Sequence, residues 1–171
     1  MRSFGALHGA LVMALTTGAA ADDGAAVREL APTGTLRVAV AVGPAPSALW
    51  TIRDPATGRP RGVPVELGTA LAQKLKVPVE MVEFSASGEI VAAVGADKWD
   101  VTFVPVDDER NKVLDFGAPY HLLQSTYLVA PGSTIRTLDE VDRPGVRIAG
   151  VDGTATFRAA RRTAPNASPV T

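Results

Sequence analysis

The stretch Trp99 to Tyr120, WDVTFVPVDDERNKVLDFGAPY, decides how the rest of the chain is read. Val101 to Val106 is a short apolar run rich in β-branched residues, with the length of a buried strand. Asp107 then offers a side-chain oxygen suited to N-capping, and Asp108 and Glu109 place negative charge in the first turn of a short helix. Arg110 stands in that turn, near the carboxyl end of the strand, where open α/β sheets bind their ligands. Its guanidinium is a rigid fork of donors that matches a carboxylate at two points. Strand, turn and arginine together form a candidate anion clamp. Taken alone, Arg110 reads first as a solvated charge paired with a nearby aspartate, and the stretch taken whole favours the clamp.

The flanking residues give this stretch its setting. Thr35 to Val42 (TLRVAVAV) is predicted as the first strand, apolar enough to be covered on both faces. Gly43-Pro44-Ala45-Pro46 breaks it, and Pro64 opens a helix in which Leu67, Leu71 and Leu75 mark the buried face. Val77 to Phe84 is a second strand. Ser87 is placed to cap the next helix, with Ile90 and Val94 pointing inward and Trp99 packing its end against the sheet. Strand, helix, strand, helix, strand predicts a parallel sheet with right-handed crossovers. Further on, Ser125 to Ala130 reads as a strand, Leu138 to Val141 as a helical turn and Val146 to Val151 as a strand opening a new sheet. Gly153-Thr154 precedes a helix over Ala155 to Arg162, a turn suited to an anion or simply to capping by Thr154.

Asp100, the apolar strand, Glu109-Arg110, Asp115-Phe116 and Pro119-Tyr120 resemble a signature of the type II periplasmic binding proteins, in particular solute-binding protein family three. Gly58 to Leu75 (GRPRGVPVELGTALAQKL) is similar to that family's first-lobe motif, and Pro144 to Phe157 (PGVRIAGVDGTATF) to its second-lobe motif. The resemblance runs in register from Gly34 to the end of the chain. It implies an α/β fold of two lobes with parallel-rich sheets, lobe one spanning 35–130 and a partial lobe two spanning 131–171. It also implies an amino acid or related small carboxylate held between the lobes and delivered to the membrane permease of an ABC importer. In this picture Arg110 holds the carboxylate from lobe one, Thr154 and the amide of Ala155 approach it from lobe two, and Trp50 walls the pocket. One residue departs from the pattern: where the family's amino-acid binders carry Ser or Thr, five residues before the arginine, this chain has Pro105. Pro105 has neither hydroxyl nor N–H, which counts against an α-amino acid.

Bulk properties agree with a periplasmic binding module. The 171 residues are 46% hydrophobic, enough for a real core. With 17 basic and 18 acidic residues the formal net charge is −1, and no basic cluster beyond Arg161-Arg162 suggests nucleic acid as a partner. Cysteine is absent, so thiol catalysis, disulfides and cysteine metal sites are excluded, and nothing calls for a cofactor. Residues 1–21 read as a cleaved signal peptide, with Arg2, an apolar stretch from Phe4 to Leu15 and Ala19-Ala20-Ala21 before Asp22. Residues 22–34 form an Ala-rich leader, loosely packed or a single helical turn. The expected product is periplasmic and monomeric.

Ser168 to Thr171 reads as the beginning of a strand, and a piece of about 40 residues seldom folds alone. The chain is therefore expected to be part of a longer binding protein. A competing function is an enzyme on the same scaffold, such as a cyclohexadienyl dehydratase-like lyase, which needs a general acid or base in the cleft. The histidines are His8, in the presumed signal, and His121, read as a polar residue at a strand entrance. A sensor module is the third possibility, without a membrane segment to connect it.

Overall fold

The computed structural model describes residues 20–43 and 50–171. The expected signal segment lies outside them except for Ala20 and Ala21, which open a helix, α1 (Ala20–Leu30). Nine of the leader's 13 residues, 22–30, thus belong to a helix longer than the single turn expected. Alanine has the highest helix propensity, and Leu30 and Ala31 anchor the helix end in the core beside Leu36 and Val38.

Strand β1 (Leu36–Ala41) is the centre of the larger sheet, with Leu36, Val38, Ala39 and Val40 all buried. Next come the short antiparallel pair β2 (Ile52–Arg53) and β3 (Pro60–Arg61), then helix α2 (Val63–Leu75). β4 (Val79–Phe84) runs parallel to β1 along its full length, from Leu36 opposite Val79 to Ala41 opposite Phe84. Helix α3 (Ser87–Ala92) returns the chain to β5 (Val101–Thr102), which pairs parallel to the other side of β1. The strand order β4-β1-β5 is the predicted parallel sheet.

Two of the expected buried faces shift. In α2 the fully buried residues are Pro64, Gly68 and Ala72, while Leu67, Leu71 and Leu75 are half-buried at the flanks. A Cβ on Gly68 would lie 2.8 Å from Val38 Cγ1 and 2.9 Å from Cγ2, so the helix approaches β1 through its smallest side chains. In α3, Ile90 points inward, but Val94 falls beyond the helix end and is 37% exposed. Trp99 does tie down that helix: its Nε1 donates to the Ile90 carbonyl at 3.2 Å.

β5 is much shorter than the expected Val101–Val106 strand. It is an edge strand with β1 on one side, and Pro105 has no N–H to continue the ladder. Phe103 instead packs against the core and meets Tyr120 edge-on, with ring centroids 5.9 Å apart. A two-residue strand needs another anchor, and Arg37 with Asp100 provides it. Asp100 N donates to the Arg37 carbonyl at 2.9 Å, and the Asp100 carboxylate accepts from the Arg37 backbone N–H and from its guanidinium through Nε at 3.0 Å and Nη2 at 2.6 Å.

The smaller sheet holds β6 (Arg147–Ala149) and, after helix α4 (Ala155–Thr163), β7 (Ser168–Val170), paired in parallel. Val141, Ala164 and Ala167 form its core, with Tyr127, Ile135, Val146 and Ile148 packed against them. The expected strand Ser125–Ala130 forms no ladder. No strand lies beside it among the described residues, and Leu128 is fully exposed. Tyr127 attaches it to α4 through a 3.0 Å hydrogen bond between its hydroxyl and that of Thr163.

Two predictions follow from this packing. Gly68→Ala should destabilise the protein by about 1–3 kcal/mol through overpacking, although alanine favours a helix interior by about 1 kcal/mol over glycine. Denaturant unfolding checks it, and the penalty should shrink in a Val38→Ala background, where the clashing methyl groups are gone.

Burial pushes the Asp100 carboxyl up, but the hydrogen bonds from Arg37 outweigh this and hold it below its ordinary value. A carboxyl depressed in the native state stabilises fully above its unfolded pKa, about 3.9, and loses that contribution as pH falls through the native value. Asp100→Asn should therefore melt well below the parent at pH 7, with the gap closing as the pH drops below about 4.

Candidate functional site

The site is built where the carboxyl ends of the larger sheet meet the turn before α4. Asp107 caps the turn as predicted: its Oδ1 accepts from the backbone N–H of Glu109 at 3.1 Å and of Arg110 at 3.0 Å. What it starts is a single 3-10 turn, Arg110–Lys112. The cap directs the Arg110 side chain inward, where it is only 1% exposed.

A buried guanidinium must find acceptors, and Arg110 finds them on three segments. Nη1 donates to the Pro105 carbonyl at 2.8 Å, and Nη2 donates to Ser87 Oγ at 2.9 Å and to the Gly153 carbonyl at 3.4 Å. Pro105 thus contributes through its backbone oxygen, the polar group that proline retains. Ser87 does not cap α3 as expected. Ala86 holds the cap position without a side-chain bond, and Ser87, the first helical residue, is left to accept from Arg110. A serine before an apolar helical run reads first as a cap, so its partnership with Arg110 depends on tertiary placement.

The two sheets' elements come close at two glycines. A Cβ on Gly88 would lie 3.1 Å from the Gly153 carbonyl oxygen, and Gly153 itself sits at φ 69. Both positions therefore favour glycine, one for closeness of approach and one for backbone conformation. Thr154 caps α4: its Oγ1 accepts from Phe157 N at 3.3 Å and donates to the Val151 carbonyl at 2.7 Å. Ala155 is the first residue of α4.

Beside Arg110 lies a groove of about 490 Å³. Gly88, Val91, Ala92 and Val94 line one side, Glu109, Arg110 and Val113 a second, and Gly153 and Arg158 a third. Of the residues predicted for the site, Arg110 lines this groove. Thr154, Ala155 and Trp50 are not part of its lining, and Trp50 is half-buried beside β2. Arg158 was not anticipated; on sequence it is one of several basic residues in an amphipathic helix. It reaches across from α4 to ion-pair with Asp107 through Nη2 and Oδ2. Asp107 Oδ2 also lies 3.9 Å from Arg110 Nε, so two guanidinium groups share one carboxylate.

Electrostatics follow from that ratio. Burial pushes the Arg110 guanidinium below its ordinary value, Asp107 pulls it back up, and the Arg158 cation adds to the lowering. Burial pushes the Asp107 carboxyl up, but Arg158 and the Arg110 backbone N–H hold it below its ordinary value. Among the described residues, the buried side-chain donors without a partner are Nε of Arg110 and Nε of Arg158. Both nitrogens are shielded from solvent, and Arg110 Nε faces the Asp107 carboxylate from 3.9 Å.

The fold is shared with solved structures of binding proteins. The chain is 31% identical to an ancestral amino-acid-binding protein that is a precursor of cyclohexadienyl dehydratase, with a TM-score of 0.70 over 85% of this chain and 63% of that one. A binding component of an ABC transporter from Wolinella succinogenes, complexed with lysine, shares the fold at 24% identity and TM-score 0.67, over 81% of this chain and 59% of that one. An amino-acid ABC transporter substrate-binding protein from Streptococcus pneumoniae, bound to L-arginine, does so at 24% identity and TM-score 0.67, over 82% and 60%. The chain therefore spans less than two thirds of the length of these structures. A family model matches residues 36–166, which takes in the larger sheet, β6, α2 to α4 and every residue that lines the arginine groove. On that match the chain belongs to the bacterial extracellular solute-binding proteins, family 3.

Proposed function

We propose that this chain forms the ligand-holding part of a periplasmic solute-binding protein serving an ABC importer, and that Arg110 takes the carboxylate of a small solute between two lobes. The observation that carries this reading is a guanidinium 1% exposed at the meeting of the two sheets, on a residue that lines the groove. Family membership and the lysine and arginine carried by similar structures support an amino acid or related carboxylate as the solute class. Thr154 and Ala155 serve the site by setting the turn that presents Gly153. Export through the signal-like residues 1–21 and a monomeric state complete the reading.

A lyase on this scaffold is the alternative, favoured by the similarity to a cyclohexadienyl dehydratase precursor. It needs an acid or base at the groove. Glu109 lines it, but its carboxylate is exposed and held by Lys112 Nζ at 2.7 Å, a weak arrangement for proton transfer.

Thermal-shift screening of the protein against small carboxylates and amino acids should find a stabilising solute. Arg110→Met should then weaken its binding by about 2–5 kcal/mol in calorimetric titration, as expected when one partner of a desolvated charge pair is removed. Unchanged affinity in a folded variant would remove Arg110 from the site.

A further inference from the structure

We infer that the turn before α4 is a plug on Arg110: the Gly153 carbonyl occupies one of its donors, and the ion pair between Arg158 and Asp107 holds the turn in place. Arg110 becomes available to a solute only when the two sheets' elements part along the seam at Gly88 and Gly153. This rests on the reading of Arg110 above and adds a conformational step to it.

The first support is that Arg110 is sealed. The residue lines the groove, yet its side chain is 1% exposed and its Nε is shielded from solvent. Its other donors are turned to protein acceptors. Pro105 and Ser87, which follow β5 and open α3, accept at 2.8 and 2.9 Å, while Gly153 accepts at 3.4 Å from the side of the smaller sheet. The longest bond is therefore the one that crosses between the sheets, and it is longer than an ordinary N–H···O contact. Parting the seam costs Arg110 its weakest acceptor. A carboxylate oxygen is a stronger one, because its hydrogen bond to a guanidinium is charge-assisted at both ends.

The second support is the way the plug is fastened. Asp107 uses Oδ1 to cap the turn that aims Arg110 and Oδ2 to pair with Arg158 on α4. One carboxylate thus orients the arginine and ties the plug over it. Gly88 and Gly153 close the seam backbone against backbone, since a Cβ on Gly88 would lie 3.1 Å from the Gly153 carbonyl oxygen and 3.2 Å from its Cα. The sheets on either side keep separate cores, one around Leu36, Val38 and Val40 and the other around Val141, Ala164 and Ala167. They can part as two bodies with both cores intact. Arg158 is therefore a positioning residue: without it the Oδ1 cap still directs Arg110, and the plug loosens.

Phenylglyoxal, a dicarbonyl that adds to guanidinium groups, tests this on the 171-residue chain with no solute present, each arginine being read by peptide mass spectrometry. In the parent chain Arg110 should react far more slowly than the exposed Arg59 and Arg147. In Arg158→Met it should react about tenfold faster, as for a seam weakened by 1.4 kcal/mol. Arg37, clipped to Asp100 within the larger sheet, should keep its rate. Arg158→Lys retains the charge and should stay closer to the parent. Gly88→Leu places a good helix former in α3 but wedges the seam, and should also speed the reaction of Arg110. A joint rise of Arg37 and Arg110 in Arg158→Met would mark unfolding, and Gly88→Leu then decides. Reaction of Arg110 in the parent as fast as Arg59, or an unchanged slow rate in both Arg158→Met and Gly88→Leu, overturns the plug. Acetate, as a carboxylate probe, should slow modification of Arg110 in Arg158→Met. Failure of acetate alone removes the carboxylate reading of Arg110 and leaves the plug supported by the other rates.

Discussion

The site depends on keeping a guanidinium group dry. Arg110 is almost wholly buried, and a charge so placed is tolerated only when its surroundings supply acceptors in the right directions. Those acceptors come from far apart in the chain: the carbonyls of Pro105 and Gly153 and the hydroxyl of Ser87. Asp107 sets the side chain's direction through its cap and balances its charge from 3.9 Å. Each of these groups must stay in place for the arginine to remain buried, so one side chain ties together the end of β5, the start of α3 and the turn before α4.

That arrangement needs a rigid platform. β1 supplies it, paired on both sides and covered by α2 at the close distance that Gly68 permits over Val38. The clip between Arg37 and Asp100 then fixes where β5 begins, which a two-residue ladder by itself would hold weakly. With β5 in register, the chain reaches Pro105 and Asp107 at the carboxyl edge of the sheet, where the arginine is needed. Fold and site are coupled through this one edge strand.

The pairing of Asp107 with Arg158 places a second cation from the smaller sheet at the same groove. The family is one of solute-binding proteins, and in this chain two guanidiniums share one carboxylate at the groove. Gly88 and Gly153 matter for the same reason, since side chains there would hold the two sheets' elements apart and draw Arg110 away from the Gly153 carbonyl.

Much of this was legible in the residues themselves. The strands at Leu36–Ala41 and Val79–Phe84, Pro64 opening α2, Asp107 as a cap and Thr154 opening α4 all follow from local preferences, which act over a few residues. The position of Arg110 was recognisable because a strand, a cap and an arginine in that order put it at the carboxyl edge of the sheet. Local patterns could not choose Gly68 over Leu67, Leu71 and Leu75 as the closest approach of α2, because that depends on the facing Val38. They gave Ser125–Ala130 the look of a strand, yet a strand exists only beside a partner. They could not assign Ser87 to Arg110 or Arg158 to Asp107, since those pairs are separated by 23 and 51 residues along the chain. Sequence alone determined which segments become strands and helices of the larger sheet and where its arginine would stand. Tertiary structure decided which groups surround that arginine, because a buried charge selects its partners by proximity in space.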